Sequence, residues 1–338
     1  MTPARLDRLR ILLCRLHDTV RARLIAARDE EPADALAGIA AETAADTIYR
    51  IDRVSEEAIL DWFAAEWPAD CPVELVMEGA EGGDAHTFPR GTPATRAEFV
   101  CILDPIDGTR NLMVDKRSAW VLAALAPRRP AGTRLGDVVV AAMTELPVTK
   151  QWASDQISGL RGCGPRGLIA ERIDVRTAGR APLAVRPSRA TDFRHGFASL
   201  VRFFPAGKSL LARVEEELWH ELHGPEPGRS PLVFDDQYMT TGGQIYELMV
   251  GHDRMLGDLR PLAHRRIGID SALVCHPYDI CTSLLLQEAG GVVEDPWGRP
   301  LDVPLDTTSP VAWMGYANPA LAATVRPIIA RLAREHLG

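Results

Sequence analysis

Apolar residues near the start of the chain recur every three or four positions, which predicts an amphipathic helix. These residues are Leu6, Leu9, Leu13, Leu16, Val20 and Leu24. The helical period resumes near Asp34 and continues to Glu66, with a break around residues 46–52. Pro68 and Pro72 follow, and proline ends a helix because it lacks the backbone N–H. The pattern therefore predicts helical structure across residues 34–66.

Short apolar runs bounded by glycine and proline are typical of buried strands. Such runs occupy residues 74–77, 99–103, 118–127 and 135–146. The segment 78–93 is rich in Gly and Pro, which predicts a loop between the first two strands.

Helical and strand patterns continue to alternate downstream. A glycine-rich stretch at 159–167 predicts a turn between strands, and residues 172–179 and 183–188 resemble edge strands. Residues 207–224 form an amphipathic helical pattern that Gly224 and Pro225 end.

The last informative blocks also mix the two periods. Residues 235–251 predict a turn followed by a helix, and residues 272–298 predict strand, turn, helix and strand. No isolated linker interrupts the alternation, so we expect α/β (α+β) layers that pack tightly. The length of 338 residues suits two sub-domains, which we place at residues 1–185 and 186–338.

Composition narrows the class of protein. Hydrophobic residues make up 46% and charged residues 25%, which are ordinary globular values and exclude a disordered or collagen-like chain. The formal net charge is −8, and an acidic balance argues against a general nucleic-acid partner.

The cysteines indicate a reducing compartment. There are 6 of them, without the CxxC spacing of a zinc or redox site, and most lie in apolar contexts. The N-terminal helix is interrupted by charges every few residues, unlike a signal peptide, and no stretch approaches the roughly 18 apolar residues of a membrane span. We therefore expect a cytoplasmic protein with no membrane partner.

The sharpest chemical feature is the string Asp104-Pro105-Ile106-Asp107-Gly108-Thr109 at the end of an apolar strand. Pro105 fixes the turn, and Gly108 permits close backbone approach. Carboxylates with a backbone carbonyl suit a hard cation such as Mg²⁺. The N–H groups of a helix that begins at Thr109 suit a phosphate. A turn with solvated acids is the alternative interpretation.

This string, with Asn111 after it, resembles the signature of the inositol monophosphatase superfamily, a group of metal-dependent, lithium-sensitive phosphatases. Upstream, Asp46 and Asp52 are similar to an aspartate pair of this family, and Glu78 ends a strand like the one that supplies a metal-binding glutamate.

Downstream segments resemble the family in the same order. Thr241-Gly242-Gly243 is similar to the turn that begins a substrate-facing helix. Tyr278-Asp279, followed by Glu288-Ala289-Gly290-Gly291, resembles the family's closing motif, with Tyr278 in place of its usual tryptophan. The resemblance covers about residues 40–300 and implies a layered α-β-α-β-α sandwich.

The resemblance also implies a metal centre with two Mg²⁺. By analogy, Glu78, Asp104 and the Ile106 carbonyl hold one ion, and Asp104, Asp107 and Asp279 hold the second. A third, weaker ion near Glu78 completes this expectation.

The same analogy assigns the catalytic groups. Thr109 and Asp52 orient and deprotonate the nucleophilic water. The N–H groups of Gly108 and Thr109 receive the phosphate, with Arg110 beside them as a candidate substrate contact. Gly242 and Gly243 face the substrate. Family members are often homodimers, so we expect one here.

Some choices stay open at this stage. Either Glu78 or Glu81 is the metal-binding glutamate. Asp46 is either a carboxylate at the start of a helix or beside the metal ligands, or a metal ligand itself. The stretch Ser271–Val274 lacks the glutamate that inositol-specific members carry, which weakens an inositol preference.

The resulting hypothesis is a Mg²⁺-dependent phosphatase that hydrolyses a small phosphate monoester (a sugar, cyclitol or inositol phosphate) by a metal-activated water. One alternative substrate is 3'-phosphoadenosine 5'-phosphate, which ranks lower because no aromatic or basic pattern in the sequence indicates a site for a nucleotide base. Histidinol phosphate is another alternative. A catalytically silent metal-dependent binding or regulatory protein is the alternative of another class.

Overall fold

The computed structural model describes residues 2–30, 39–42, 47–79, 86–225, 230–269 and 273–338.

Two helices form the outer layer at the N-terminal end: α1 (Pro3–Glu30) and α2 (Arg50–Glu66). The predicted N-terminal helix is confirmed. Its periodic leucines are buried against a large sheet, as are Arg10 and Arg21, which bond to Ser158 and Ser154 of that sheet. The arginines of α1 therefore help to hold the helix on the protein.

The prediction of helix from Asp34 onward is wrong for residues 39–42, whereas residues 47–49 lie within the predicted break at 46–52. Residues Ile39–Glu42 and Thr47–Tyr49 form an antiparallel pair of short strands, β1 and β2. The alanines of this region favour a helix, but Thr47, Ile48 and Tyr49 are β-branched or aromatic and pair well as a strand. Pairing across the hairpin overrides the helical propensity.

An eight-stranded sheet lies between residues 73 and 182, with strand order β10-β9-β8-β7-β6-β5-β3-β4 among the described residues. The strands are β3 (Val73–Met77), β4 (His86–Phe88), β5 (Phe99–Asp107), β6 (Ala119–Pro127), β7 (Val140–Leu146), β8 (Ala153–Leu160), β9 (Ile169–Asp174) and β10 (Arg180–Pro182). Strands β3 and β5 are parallel, and the other neighbouring pairs, β3–β4 and those from β5–β6 to β9–β10, are antiparallel.

A five-stranded sheet lies between residues 196 and 316, with order β12-β11-β13-β15-β14. Its strands are β11 (Gly196–Leu200), β12 (Val233–Phe234), β13 (Asp253–Asp258), β14 (Val292–Glu294) and β15 (Trp313–Tyr316). The remaining helices are α3 (Thr109–Met113), α4 (Lys208–His223), α5 (Thr241–Val250), α6 (Arg260–Arg266), α7 (Ser283–Ala289) and α8 (Pro319–Leu337).

These elements stack in five layers. Helices α1 and α2 cover the outer face of the eight-stranded sheet, α5 and α7 lie between the two sheets, and α4 and α8 cover the far face of the second sheet. One hydrophobic core lies under α1 and α2, and a second lies between the sheets and around α8. The predicted α-β-α-β-α sandwich is confirmed.

Some local predictions are wrong. The edge strand is Arg180–Pro182 rather than 183–188, and the strand in the region of 172–179 is β9, one position inside the edge. The predicted loop 78–93 contains β4. Val274 and Cys275 are buried without forming the predicted strand, because a short apolar run fits a packed turn equally well.

Two further properties follow from the described residues. All 6 cysteines are free, and Cys14 and Cys163 are half-buried while the others are buried. Within these ranges no helix is long and apolar enough to cross a membrane.

Candidate active site

Parallel strands β3 and β5 bring the first two acids together. Met77 pairs with Leu103, and the Glu78 N–H donates to the Leu103 carbonyl at 3.4 Å. Continuing this register by one residue places Glu78 beside Asp104. The two carboxyls are close enough that the Glu78 charge, after burial, raises the pKa of Asp104.

A β-bulge in β5 decides which way Asp104 and Asp107 point. Asp104 pairs with Leu122, but Asp107 pairs with Trp120, so three steps along β5 match two steps along β6. Residues three apart in a regular strand face opposite sides of the sheet. The extra residue, at Pro105-Ile106, changes this parity and turns both carboxylates toward the interior between the sheets. Proline is tolerated at such a bulge because it cannot donate to the ladder.

The start of helix α5 holds Asp107. The Thr240 hydroxyl donates to Oδ2 at 2.6 Å, the Thr241 N–H donates to Oδ1 at 3.2 Å, and the Gly242 N–H donates to Oδ2. Thr240 is also the N-cap of α5, since its Oγ1 accepts from the Gly243 N–H at 2.9 Å. Burial raises the pKa of Asp107 to about 6, although these bonds lower it.

Asp279 approaches from the opposite side of the site. Its Oδ2 accepts from the His276 N–H at 2.6 Å, and the His276 ring stacks on Tyr278 with ring centroids 5.5 Å apart. Tyr278 thus serves as a packed wall next to this carboxylate. Burial, followed by the charge of Asp107, raises the pKa of Asp279 well above its ordinary value.

Carboxylate oxygens of Asp104, Asp107 and Asp279 all lie within 4.8 Å of one another. Asp104 is 1% exposed and Asp107 6% exposed, so the negative charges repel in a region with little water. Burial raises the pKa values of all three aspartates, and repulsion between their charges adds to this effect at Asp104 and Asp279. Carboxylate oxygens in such a cluster are suitable ligands for a hard divalent cation.

Thr109 and Asp52 meet beside this cluster. The Thr109 hydroxyl lies 3.0 Å from Oδ1 of Asp52 and 2.9 Å from the carbonyl oxygen of Ile106, and it can donate to either. Gly108, just before helix α3, has a φ of +98°, in the left-handed region. A Cβ there would lie 3.2 Å from the Met239 carbonyl oxygen, so the turn requires glycine.

Gly242 and Gly243, which are predicted to face the substrate, also form hydrogen bonds within the site. Their N–H groups donate to Asp107 and Thr240, so both residues help to hold the site together. A Cβ on Gly242 would lie 2.5 Å from Leu122 and 3.0 Å from Oδ2 of Asp107, which explains the small residue. Arg110 points its guanidinium over the ring of Phe204, at 5.9 Å from the centroid.

Sequence reasoning missed several residues at this site. Thr240 could have been found as a Thr before a Gly-Gly pair at a helix start. Arg260 could not, because it lies in an extra helix between β13 and Asp279. Its guanidinium pairs with Asp258 at 2.6 Å, both residues are buried, and its charge lowers the pKa of Asp107 and Asp279 against the larger effect of burial.

Glu56 was also missed. A Cβ built on Gly79 would lie 2.2 Å from Oε1 of Glu56, so this carboxylate lies directly over the residue that follows Glu78. Burial, followed by the charge of Asp52 one helical turn earlier, raises the pKa of Glu56. The predicted candidates Asp46 and Glu81, and the stretch 270–272, lie outside the described residues.

No family model matches the chain, and no curated protein matches it by sequence. Solved structures match over nearly the whole chain. The extragenic suppressor protein SuhB from Bartonella henselae is 16% identical with a TM-score of 0.64, covering 95% of this chain and 98% of its own.

Two further structures show the same likeness. Fructose-1,6-bisphosphatase from Leishmania major is 12% identical with a TM-score of 0.63, covering 98% of this chain and 96% of its own. The IMPase of Thermotoga maritima is 16% identical with a TM-score of 0.61, covering 98% of this chain and 100% of its own. The chain therefore has the fold of the inositol monophosphatase and fructose-1,6-bisphosphatase structures, as its motifs predicted.

Proposed function

We propose that this protein is a Mg²⁺-dependent phosphatase that hydrolyses a small phosphate monoester by a metal-activated water. The observation that carries the proposal is the meeting of the buried carboxylates of Asp104 and Asp107 with the half-buried carboxylate of Asp279, next to the hydrogen-bonded pair Thr109–Asp52. The likeness in fold to inositol monophosphatase and fructose-1,6-bisphosphatase structures supports it.

The acids around the cluster would hold the ions. We assign Glu78, Asp104 and the Ile106 carbonyl to one Mg²⁺, Asp104, Asp107 and Asp279 to a second, and Glu78 to a third, weaker ion. Bound Mg²⁺ supplies an acidified water and stabilises the leaving oxygen. A phosphate dianion is repelled by carboxylates alone, so an acid cluster can serve this substrate only together with cations.

Thr109 and Asp52 move the proton. While Thr109 donates its hydroxyl hydrogen to Asp52, its oxygen lone pairs face away from Asp52 and can accept the proton of the attacking water. The proton then resides on Asp52, and Thr109 regains its hydroxyl. The N–H groups of Gly108 and Thr109, at the start of α3, receive the phosphate, with Arg110 beside them.

Several finer assignments belong to the same proposal. The candidate substrates are sugar, cyclitol and inositol phosphates, with 3'-phosphoadenosine 5'-phosphate and histidinol phosphate as the alternatives. The protein is a cytoplasmic homodimer. Residues 1–185 and 186–338 are its sub-domains, with Asp279 supplied by the second.

Phosphate release from a panel of esters tests the proposal. The panel holds inositol, glycerol, fructose-bis-, histidinol and adenosine phosphates, each with Mg²⁺, with EDTA and with added Li⁺. We expect Mg²⁺-dependent release that Li⁺ inhibits. If none of the esters is hydrolysed although calorimetry detects Mg²⁺ binding, the result would favour the alternative of a catalytically silent binding or regulatory protein.

A further inference from the structure

Two parallel strands of the second sheet end at one side of the candidate site. Strands β11 and β13 are parallel, and Leu200 pairs with Gly257 near their carboxyl ends. The segment after β11 carries Phe203 and Phe204, and the residues after β13 include Arg260. Ligands of open α/β sheets bind beyond the carboxyl ends of parallel strands, so this edge is a natural place for substrate contacts.

The two phenylalanines form a fixed aromatic corner. Their ring centroids lie 5.0 Å apart with an interplanar angle of 83°, an edge-to-face arrangement. The Arg260 guanidinium lies 4.6 Å from the Phe203 centroid and 5.3 Å from that of Phe204. Asp258 and the Leu273 carbonyl hold this guanidinium by hydrogen bonds, so the rings rest on an immobile cation.

This corner contacts residues next to two segments of the candidate site. The Arg110 guanidinium lies 5.9 Å from the Phe204 centroid, and Arg110 directly follows Thr109. The Arg260 guanidinium, which lies over both rings, donates to the carbonyl of Leu273, in the segment that leads to Asp279. The phenyl pair therefore lies beside two arginines that are linked to the chain segments carrying Thr109 and Asp279.

Phe203 and Phe204 are only half-buried, unlike the aromatic residues of the core. Phenyl rings offer a ligand flat apolar faces and no hydrogen-bond partners. A polyol bound against them would lose hydrogen bonds to water without replacement, whereas a planar ring would stack.

We propose that Phe203 and Phe204 select a phosphate ester whose leaving group carries a planar aromatic or heteroaromatic ring. The ring stacks against the phenyl pair while the phosphate occupies the metal cluster. This inference rests on the proposed phosphatase function and names its substrate class. The sequence pattern favoured polyol phosphates over nucleotides, and the aromatic pair favours the opposite order.

A matched pair of esters tests the proposal. Adenosine 5'-monophosphate and ribose 5-phosphate share a primary 5'-phosphate, and only the first carries a planar base. We expect kcat/KM to be about tenfold or more higher for the nucleotide, the size of one base stacking on one aromatic ring. In Phe204→Leu and Phe203→Leu this ratio should fall toward one, mainly through the nucleotide.

Phe234→Leu is the control, because Phe234 is also an exposed ring in a phenylalanine pair, 5.6 Å from Phe197, on the edge strand β12. It should leave the ratio unchanged. Circular dichroism and melting temperature of each variant establish that it is folded. An equal rate for the two esters in the wild type, or an equal loss for both in Phe204→Leu, would overturn the proposal.

Calorimetric binding of the same two esters with Mg²⁺ separates the two levels. If neither ester is hydrolysed but the nucleotide binds more tightly and loses this advantage in Phe204→Leu, the phosphatase function fails and the aromatic corner stands. If both are hydrolysed at the same rate and bind equally, the corner fails and the phosphatase function stands.

Discussion

The hydroxyl oxygen of Thr109 lies 3.0 Å from Oδ1 of Asp52, although 57 residues separate them in the chain. Asp52 lies in the first turn of helix α2, and Thr109 begins α3 at the end of the bulged strand β5. This contact joins the outer helical layer to the acid cluster. In the proposed function, it places a base beside the carboxylates that hold the cations.

Removing either partner should slow turnover while leaving the metal ligands in place. We expect Asp52→Asn and Thr109→Ala each to lower kcat by roughly 10²–10⁴-fold, the range for loss of general base catalysis. Because the two act as a unit, the double variant should be little slower than the slower single one. Steady-state kinetics and Mg²⁺ calorimetry on the same preparations measure both effects.

A second Thr–Asp pair provides the control. Thr149 donates to Asp115 at 2.5 Å on the exposed surface, so Thr149→Ala removes a similar bond outside the site. It should leave kcat within twofold. A similar loss of kcat in this variant would assign the effect to stability rather than to proton transfer.

The buried aspartates should account for divalent-ion binding. We expect Asp104→Asn to lower turnover by more than 10³-fold and to abolish the rise in melting temperature that millimolar Mg²⁺ gives the wild type. Asp174→Asn, at the end of β9 and paired with Arg176, is the matched strand-end control. Retained activity in Asp104→Asn would refute the metal assignment.

The stability of the metal-free protein and its affinity for Mg²⁺ should change with pH in opposite directions. The folded-state pKa of Asp107 is raised to about 6, and those of Asp104 and Asp279 are raised as well. The folded state then holds more protons than the unfolded state, so the metal-free protein loses stability as pH rises from about 4 through 6.

Since Mg²⁺ needs the ionised carboxylates, its affinity should increase over the same interval. Melting curves with EDTA and with Mg²⁺ between pH 4.5 and 8 measure both trends. The trend for EDTA should flatten in Asp107→Asn. A metal-free stability that increases through pH 6 would contradict the electrostatic account of the cluster.

Substitution of Gly79 should destabilise the protein, because of its left-handed backbone and its close approach to Glu56. Its φ is +81°, and a Cβ would lie 2.2 Å from Oε1 of Glu56. We expect Gly79→Ala to lower the free energy of unfolding by about 1–3 kcal/mol, from left-handed strain and displacement of the Glu56 side chain.

Gly91 separates the two causes, because its φ is +80° with nothing within 4 Å of a Cβ. Gly91→Ala should therefore show the strain alone. In denaturant titrations, the excess loss in Gly79→Ala should disappear when Glu56→Ala is added. Equal losses in Gly79→Ala and Gly91→Ala would show that the Glu56 contact costs nothing.

The choice between Glu78 and Glu81 can be made with two variants. Glu78 continues the ladder beside Asp104, so Glu78→Gln should raise the Mg²⁺ concentration for half-maximal activity by about tenfold or more. Glu81→Gln should leave it within twofold. A larger effect of Glu81→Gln would reverse the assignment.

Local sequence features are enough to identify the candidate site motifs and their order along the chain. Acids at strand ends, a proline within the Asp104–Asp107 string and a Gly-Gly pair at a helix start are local features, and each constrains its own backbone. These motifs resemble those of the inositol monophosphatase superfamily, and that resemblance implied the layered fold and the aspartates proposed for the site. At residues 39–42 the helical pattern failed, because pairing with a second strand outweighed the local propensity.

The contacts between side chains that are distant in sequence follow from the tertiary structure. The parity of Asp104 and Asp107 depends on a bulge that forms when β5 pairs with β6, and spacing alone would have placed them on opposite faces. Phe203, Phe204 and Arg260 come together because parallel strands β11 and β13 end at one edge, 58 residues apart in the chain. Contacts across such separations arise from sheet register and layer packing, which no local pattern contains.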